Sequence, residues 1–151
     1  MMRCLGLDVG QRRIGIAVSD LLGMTAQGVE TFTRSDDIEA DIDRIIDIAQ
    51  KYEPVRIVFG LPRNMNGSYG FQADYVREFA GALLGRHFYE HDFVDERLTT
   101  VSAERVLLEA DVSRKKRKQV IDKMAAVLIL QSYLDSGSHE RPAKNPVKRG
   151  N

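Results

Sequence analysis

The sequence predicts an α/β fold in which a five-stranded mixed sheet, an antiparallel three-stranded meander continued by parallel strands, is flanked by helices. Three observations lead there. Two short apolar runs face each other across a glycine turn near the start of the chain. Further on, short apolar runs alternate with stretches of helical periodicity, the order that builds parallel strands through helical crossovers. At 151 residues the chain fits one domain of ordinary size.

Arg3 to Val9 is rich in Leu and Val, stops at Gly10 and reads as a buried strand. Past Gly10-Gln11-Arg12, Ile14, Ile16 and Val18 alternate with Gly15, Ala17 and Ser19, the pattern of a second hairpin arm. Ala26 to Thr33 adds a third strand. Ser35-Asp36-Asp37 offers side-chain oxygens and negative charge to the free N–H groups of a helix start. Ile38, Ile42, Ile45, Ile46 and Ala49 then fall on one helical face, and Pro54 closes the helix. Val55 to Phe59 is a fourth strand running into Gly60-Leu61-Pro62. A loop rich in Gly and Asn leads to a second amphipathic helix carrying Phe71, Tyr75, Phe79, Ala82 and Leu83. His91 to Asp95 is the fifth strand. A third helix is expected from Thr99-Thr100 to about Ala110, and a fourth from about Lys115 to Leu134. Residues 1–136 form the expected domain. Residues 137–151 have nothing to bury and are expected to be a disordered tail.

Composition narrows the function classes. The hydrophobic fraction of 43% and charged fraction of 29% are those of a soluble globular protein. No apolar stretch is long enough to span a membrane and the start lacks signal-peptide architecture, so no membrane partner is expected and the cytoplasm is the expected location. The single cysteine, Cys4, sits in an apolar run and reads as a core residue. With 22 basic and 22 acidic residues the net charge is zero, so any nucleic-acid footprint must be local.

Three acidic residues stand where the pattern does not ask for them. Asp8 lies in an apolar strand, where a carboxylate is costly to bury unless a metal, a proton or hydrogen bonds compensate, or unless it caps the Gly10 turn. Glu96, in Asp95-Glu96-Arg97, follows the fifth strand at a carboxyl end, as a site residue or an exposed partner of Arg97. Asp122 lies in the fourth helix among Val120, Ile121 and Met124, with small Ala125 and Ala126 one turn on. All three can reach one edge of the sheet, where polar chemistry gathers in such folds. Oxygen-only ligands select hard cations, Mg²⁺ or Mn²⁺. Two such ions about 4 Å apart activate water and stabilise the leaving oxygen of a phosphodiester. His87, His91 and His139 are scattered without zinc spacing and read as surface or loop residues.

The same residues carry a family resemblance. Leu5-Gly6-Leu7-Asp8-Val9-Gly10 with Arg13-Ile14-Gly15-Ile16-Ala17-Val18-Ser19-Asp20 resembles the opening signature of the YqgF/RuvX family. Gly60-Leu61-Pro62 with Met65-Asn66-Gly67-Ser68, then Asp95-Glu96-Arg97-Leu98-Thr99-Thr100, then Ile121-Asp122-Lys123-Met124-Ala125-Ala126 with Ile129-Leu130-Gln131, follow in the family's order. The resemblance implies an RNase H-like fold related to Holliday-junction resolvases and a nuclease that matures the 5′ end of the small-subunit ribosomal RNA precursor. It puts the family's acidic, metal-holding site on Asp8, Glu96 and Asp122. Arg12 stands where the family usually has lysine, and Asn66 where it has aspartate.

A nuclease must also hold phosphates. Arg12 and Arg13 lie on the turn beside Asp8, Arg97 follows Glu96, and Asn64 lies on the loop after Gly60. Lys115 and Lys118 belong to the basic run from Arg114 to Lys118 that leads into the Asp122 helix. Each has a plain alternative as a solvated surface group. The expected partner is structured nucleic acid, an RNA precursor before a DNA junction, with ribosomal particles as its setting and the protein a monomer or homodimer. Two rivals remain: nucleotide binding of the actin and sugar-kinase type, which needs two such domains, and a binding module without activity. The Gly60 loop lacks Gly-Lys-Ser/Thr, which disfavours a P-loop ATPase.

Overall fold

The computed structural model describes residues 2–62, 69–96 and 114–142, with 114–123 as backbone only. Strands β1 (Arg3–Val9), β2 (Arg13–Ser19) and β3 (Ala26–Thr33) form the meander, followed by α1 (Ile38–Gln50), β4 (Val55–Leu61), α2 (Phe71–Arg86) and β5 (Glu90–Asp95). The last helix, here α3, spans Arg114–Asp135. The sheet order is β3-β2-β1-β4-β5. β1 pairs antiparallel with β2 and parallel with β4, which in turn runs parallel to β5, so the mixed sheet read from the sequence is borne out. The expected helix from Thr99 to Ala110 lies outside the described residues.

The period of two divides β1 and β2 between two cores. Leu5, Leu7, Val9, Ile14, Ile16 and Val18 join Ile42, Ile45, Val76, Phe79 and Leu83 under α1 and α2. Cys4, Ala17 and Val58 join Ala125, Ala126, Ile129, Leu130 and Tyr133 under α3. The α3 side of the sheet is built from small residues, which lets the helix come close. A Cβ on Gly6 would lie 2.8 Å from Leu130 Cβ and 3.2 Å from the Ala126 carbonyl oxygen, and one on Gly60 would overlap the Ile129 side chain.

Three details differ from the sequence reading. β4 continues two residues past Phe59, to Leu61, because β5 keeps pairing alongside it. The buried face of α2 is Ala73, Val76, Phe79, Ala80 and Leu83, while Phe71, expected on the inner face, is 70% exposed at the first helical position. Residues 138–140, expected to lie in a disordered tail, form a 3₁₀ turn after Gly137, whose φ of 75° suits glycine. The Arg56 guanidinium anchors that turn by donating to the Ser138 carbonyl at 3.2 Å.

Candidate active site

β1 and β4 run parallel with Leu7 beside Phe59, so the next residues, Asp8 and Gly60, are neighbours at the carboxyl ends of the two central strands. Gly60 also pairs with Val94 of β5, two residues before Glu96. The Glu96 Oε1 lies 3.4 Å from where a Cβ on Gly60 would stand. Asp8 and Glu96 therefore flank one glycine from its two sides. A larger residue there would fill the space into which the Glu96 carboxylate turns. Asp8 is 8% exposed, on the same sheet face as Cys4 and Gly6 and therefore on the α3 side.

α3 lies antiparallel to these strands. Tyr133 Oη accepts from Arg56 at the start of β4 (3.0 Å), whereas Ile129 sits at Gly60 near its end. The helix backbone at Asp122, one turn before Ala126, continues toward the strand ends that carry Asp8 and Glu96. Among the described residues no group of three His, Cys, Asp or Glu side chains gathers. Asp8 and Glu96 are two carboxylates. The side chain of Asp122 lies outside the described residues, as do those of Lys115 and Lys118 and all of Asn64 and Arg97.

The turn after Asp8 is tight and braced. Gly10 N–H donates to the Arg13 carbonyl at 2.9 Å, and a Cβ on Gly10 would meet that same oxygen at 2.9 Å, so glycine is required there. Arg34 N–H donates to the Arg12 carbonyl (2.8 Å) and the Arg34 guanidinium to the Gly10 carbonyl (3.2 Å). The same guanidinium pairs with Asp41 of α1 at 3.2 Å, bonds Tyr75 Oη of α2, and lies over the rings of Tyr75 (5.1 Å) and Phe79 (4.9 Å). Arg12 is exposed. With Gly10, Gln11, Arg13 and Gln72 of α2 it lines a cavity of about 260 Å³, polar and open to solvent.

Arg34, Asp41, Tyr75 and Gln72 are residues that the sequence reading missed. A lone arginine between a strand and a helix cap carries no periodic signal, and Tyr75 reads as plain core. Small Ala125 and Ala126, one turn after Asp122, were the legible hint of a close approach. The histidines lie elsewhere: His87 stacks on Tyr89 at 4.2 Å, His139 packs on Gly23, and His91 lies within β5, the strand expected for it.

A family model described as RuvX, Holliday junction resolvase, matches residues 2–136. A protein of Heliobacterium modesticaldum is 53% identical over 138 residues, covering 91% of this chain and 92% of its own length. One of Halalkalibacterium halodurans is 58% identical over 137 residues, covering 89% and 96%. Both bear the name "putative pre-16S rRNA nuclease". Among solved structures, Thermus thermophilus RuvC in complex with a Holliday junction substrate superposes with a TM-score of 0.58 at 11% identity, over 91% of this chain and 98% of that one. At that identity the likeness speaks for the fold alone, and it bears out the RNase H-like sheet.

Proposed function

The chain belongs to the RuvX family, and from that we propose that it is a divalent-metal-dependent nuclease acting on precursor 16S ribosomal RNA in the cytoplasm. One observation carries the reading: Asp8 and Glu96 flank Gly60 at adjoining strand ends, with the Glu96 carboxylate turned to that glycine, at the end of the sheet toward which the α3 backbone runs at Asp122. The donor set is carboxylate oxygen, which fits Mg²⁺ or Mn²⁺ and not a zinc site.

Asp8, Glu96 and Asp122 would hold the metal, which when bound supplies an activated water and charge neutralisation at phosphorus. The protein's own part is positional. Asp8 sits on a buried central strand with little freedom to move, so its oxygens are preorganised. Arg12 and Arg13, on the braced turn beside it, hold phosphates of the substrate backbone. Arg97, Asn64, Lys115 and Lys118 belong to the same proposed surface by their place in the sequence. The RNA substrate is favoured by the names of the 53% and 58% identical relatives, and a ribosomal particle is the partner that such a substrate suggests. Phosphodiester hydrolysis itself does not distinguish RNA from a four-way DNA junction. Labelled precursor RNA and a DNA junction, each incubated with the protein and Mg²⁺ or Mn²⁺, test the reading. Cutting of the RNA supports it, cutting of the junction alone would move the substrate to DNA, and cutting of neither would overturn it.

A further inference from the structure

Phe71 opens α2 with its ring 70% exposed, although the same helix has a well-filled apolar face of Ala73, Val76, Phe79, Ala80 and Leu83. A large ring left in water is uninformative when isolated. Its position makes this one informative. The next residue, Gln72, lines the cavity shared with Arg12 and Arg13, so Phe71 adjoins in the chain a residue of the arginine pocket, which lies beside the strand end that carries Asp8. Two residues earlier Tyr69 is also exposed, with the Arg77 guanidinium 4.2 Å from its ring centre. Aromatic faces alternating with guanidinium groups along a surface are complementary to a single nucleic-acid strand, in which bases alternate with phosphates.

We propose that Phe71 is a stacking platform for an unpaired nucleobase of the substrate strand, with Arg12 and Arg13 taking the adjacent phosphates. This rests on the nuclease reading above and sharpens it. The enzyme engages a strand whose bases are free beside the cleavage point, and discriminates against continuous duplex, where each base is already stacked and its face hidden. Phe71 acts on affinity and substrate choice and takes no part in the chemical step.

The test measures binding in an Asp8→Asn background, so that cleavage does not intervene. The probes are a single-stranded oligoribonucleotide carrying a fluorescent adenine analogue quenched by stacking, and a blunt RNA duplex of the same length. With Phe71 intact, single-strand binding is accompanied by quenching. Phe71→Ala weakens single-strand binding about tenfold, the low-to-middle range for one stacked base, abolishes the quenching and leaves duplex binding unchanged. Phe71→Trp retains both affinity and quenching, while Phe71→Leu, apolar but not aromatic, behaves like Phe71→Ala. Equal affinities for Phe71 and Phe71→Ala, or equal losses on both probes, would overturn the proposal and leave the nuclease reading standing. No binding of either probe by the protein with Phe71 intact would overturn both.

Discussion

Arg34 reaches across from the end of β3 to donate to the Gly10 carbonyl at 3.2 Å, two residues beyond Asp8. One guanidinium thereby ties the turn at the site to Asp41 of α1 and Tyr75 of α2. Its side chain is 9% exposed and that of Asp41 is 4% exposed, so the ion pair is buried. Asp41 is further satisfied by Ser35, whose backbone N–H and hydroxyl donate to its Oδ1 at 2.9 and 3.1 Å. Such an arrangement holds a turn in one place at the expense of two desolvated charges.

Removing one partner leaves the other buried without its counter-charge. Arg34→Ala is expected to cost about 3–5 kcal/mol, the usual penalty for breaking a buried pair from one side. The Arg34→Ala/Asp41→Ala double variant should recover part of that loss. Urea unfolding of the four proteins of the cycle measures it. Additive losses would mean that the two side chains do not act as a pair.

Gly60 gives a second prediction. A Cβ there overlaps Ile129 and comes within 3.4 Å of Glu96 Oε1. Gly60→Ala should destabilise the fold by about 1–3 kcal/mol through overpacking and depress cleavage beyond what the folded fraction explains. Gly81, inside α2, has nothing within 4 Å of its Cβ position. Gly81→Ala should stabilise by about 0.5–1 kcal/mol through helix propensity and leave cleavage unchanged. Thermal unfolding alongside a cleavage assay separates the two.

Most of the frame was legible in the sequence because it is periodic. The alternation of Ile14, Ile16 and Val18 with Gly15, Ala17 and Ser19 gave β2 its bounds and its faces, and Asp37 capped α1 where its side chain suggested, accepting from Glu39 N–H at 3.0 Å. Asp8 was legible because a carboxylate interrupts an apolar strand. The contribution of Gly60 was not, since what makes it matter is the meeting of three chain segments at one point. Nor was the outward Phe71, because a helix's first turn need not follow the stripe of its later turns. Arg34 was illegible for the same reason as Gly60: its partners lie 7, 24 and 41 residues away.

Cys4 supplies a prediction in pH. Burial pushes its thiol up to about 11, with the Arg56 charge opposing. An acid whose folded pKa is raised binds its proton more tightly in the folded state. The associated stability is present below the unfolded thiol pKa and is lost as pH rises toward 11. Relative to Cys4→Ala, the wild-type protein should lose stability between about pH 9 and 11 and show no such difference in trend below about pH 8. A thiol reagent at neutral pH should label the native protein slowly and the urea-unfolded protein quickly. Fast labelling of the native protein would contradict the burial of Cys4.

Metal binding should be visible without catalysis. A cation held by Asp8 and Glu96 stabilises the folded state in proportion to the logarithm of its concentration over its dissociation constant. The wild-type melting temperature should rise on adding Mg²⁺ and fall back with EDTA. Asp8→Asn, with one carboxylate fewer to hold the ion, should gain little from Mg²⁺. An undiminished Mg²⁺ shift in Asp8→Asn would remove Asp8 from the metal site.

The central claim is that Asp8 and Glu96, which flank Gly60, belong to the catalytic centre of a metal-dependent nuclease. Its most direct test is cleavage of labelled precursor 16S RNA by wild-type, Asp8→Asn and Glu96→Gln proteins, each with Mg²⁺, with Mn²⁺ and with EDTA. The account predicts cutting by the wild type with either ion, none with EDTA, and a loss of at least about a hundredfold in both folded variants, as for removal of a preorganised charged group. Cutting that persists in EDTA, or that survives in either variant at the wild-type rate, would contradict it.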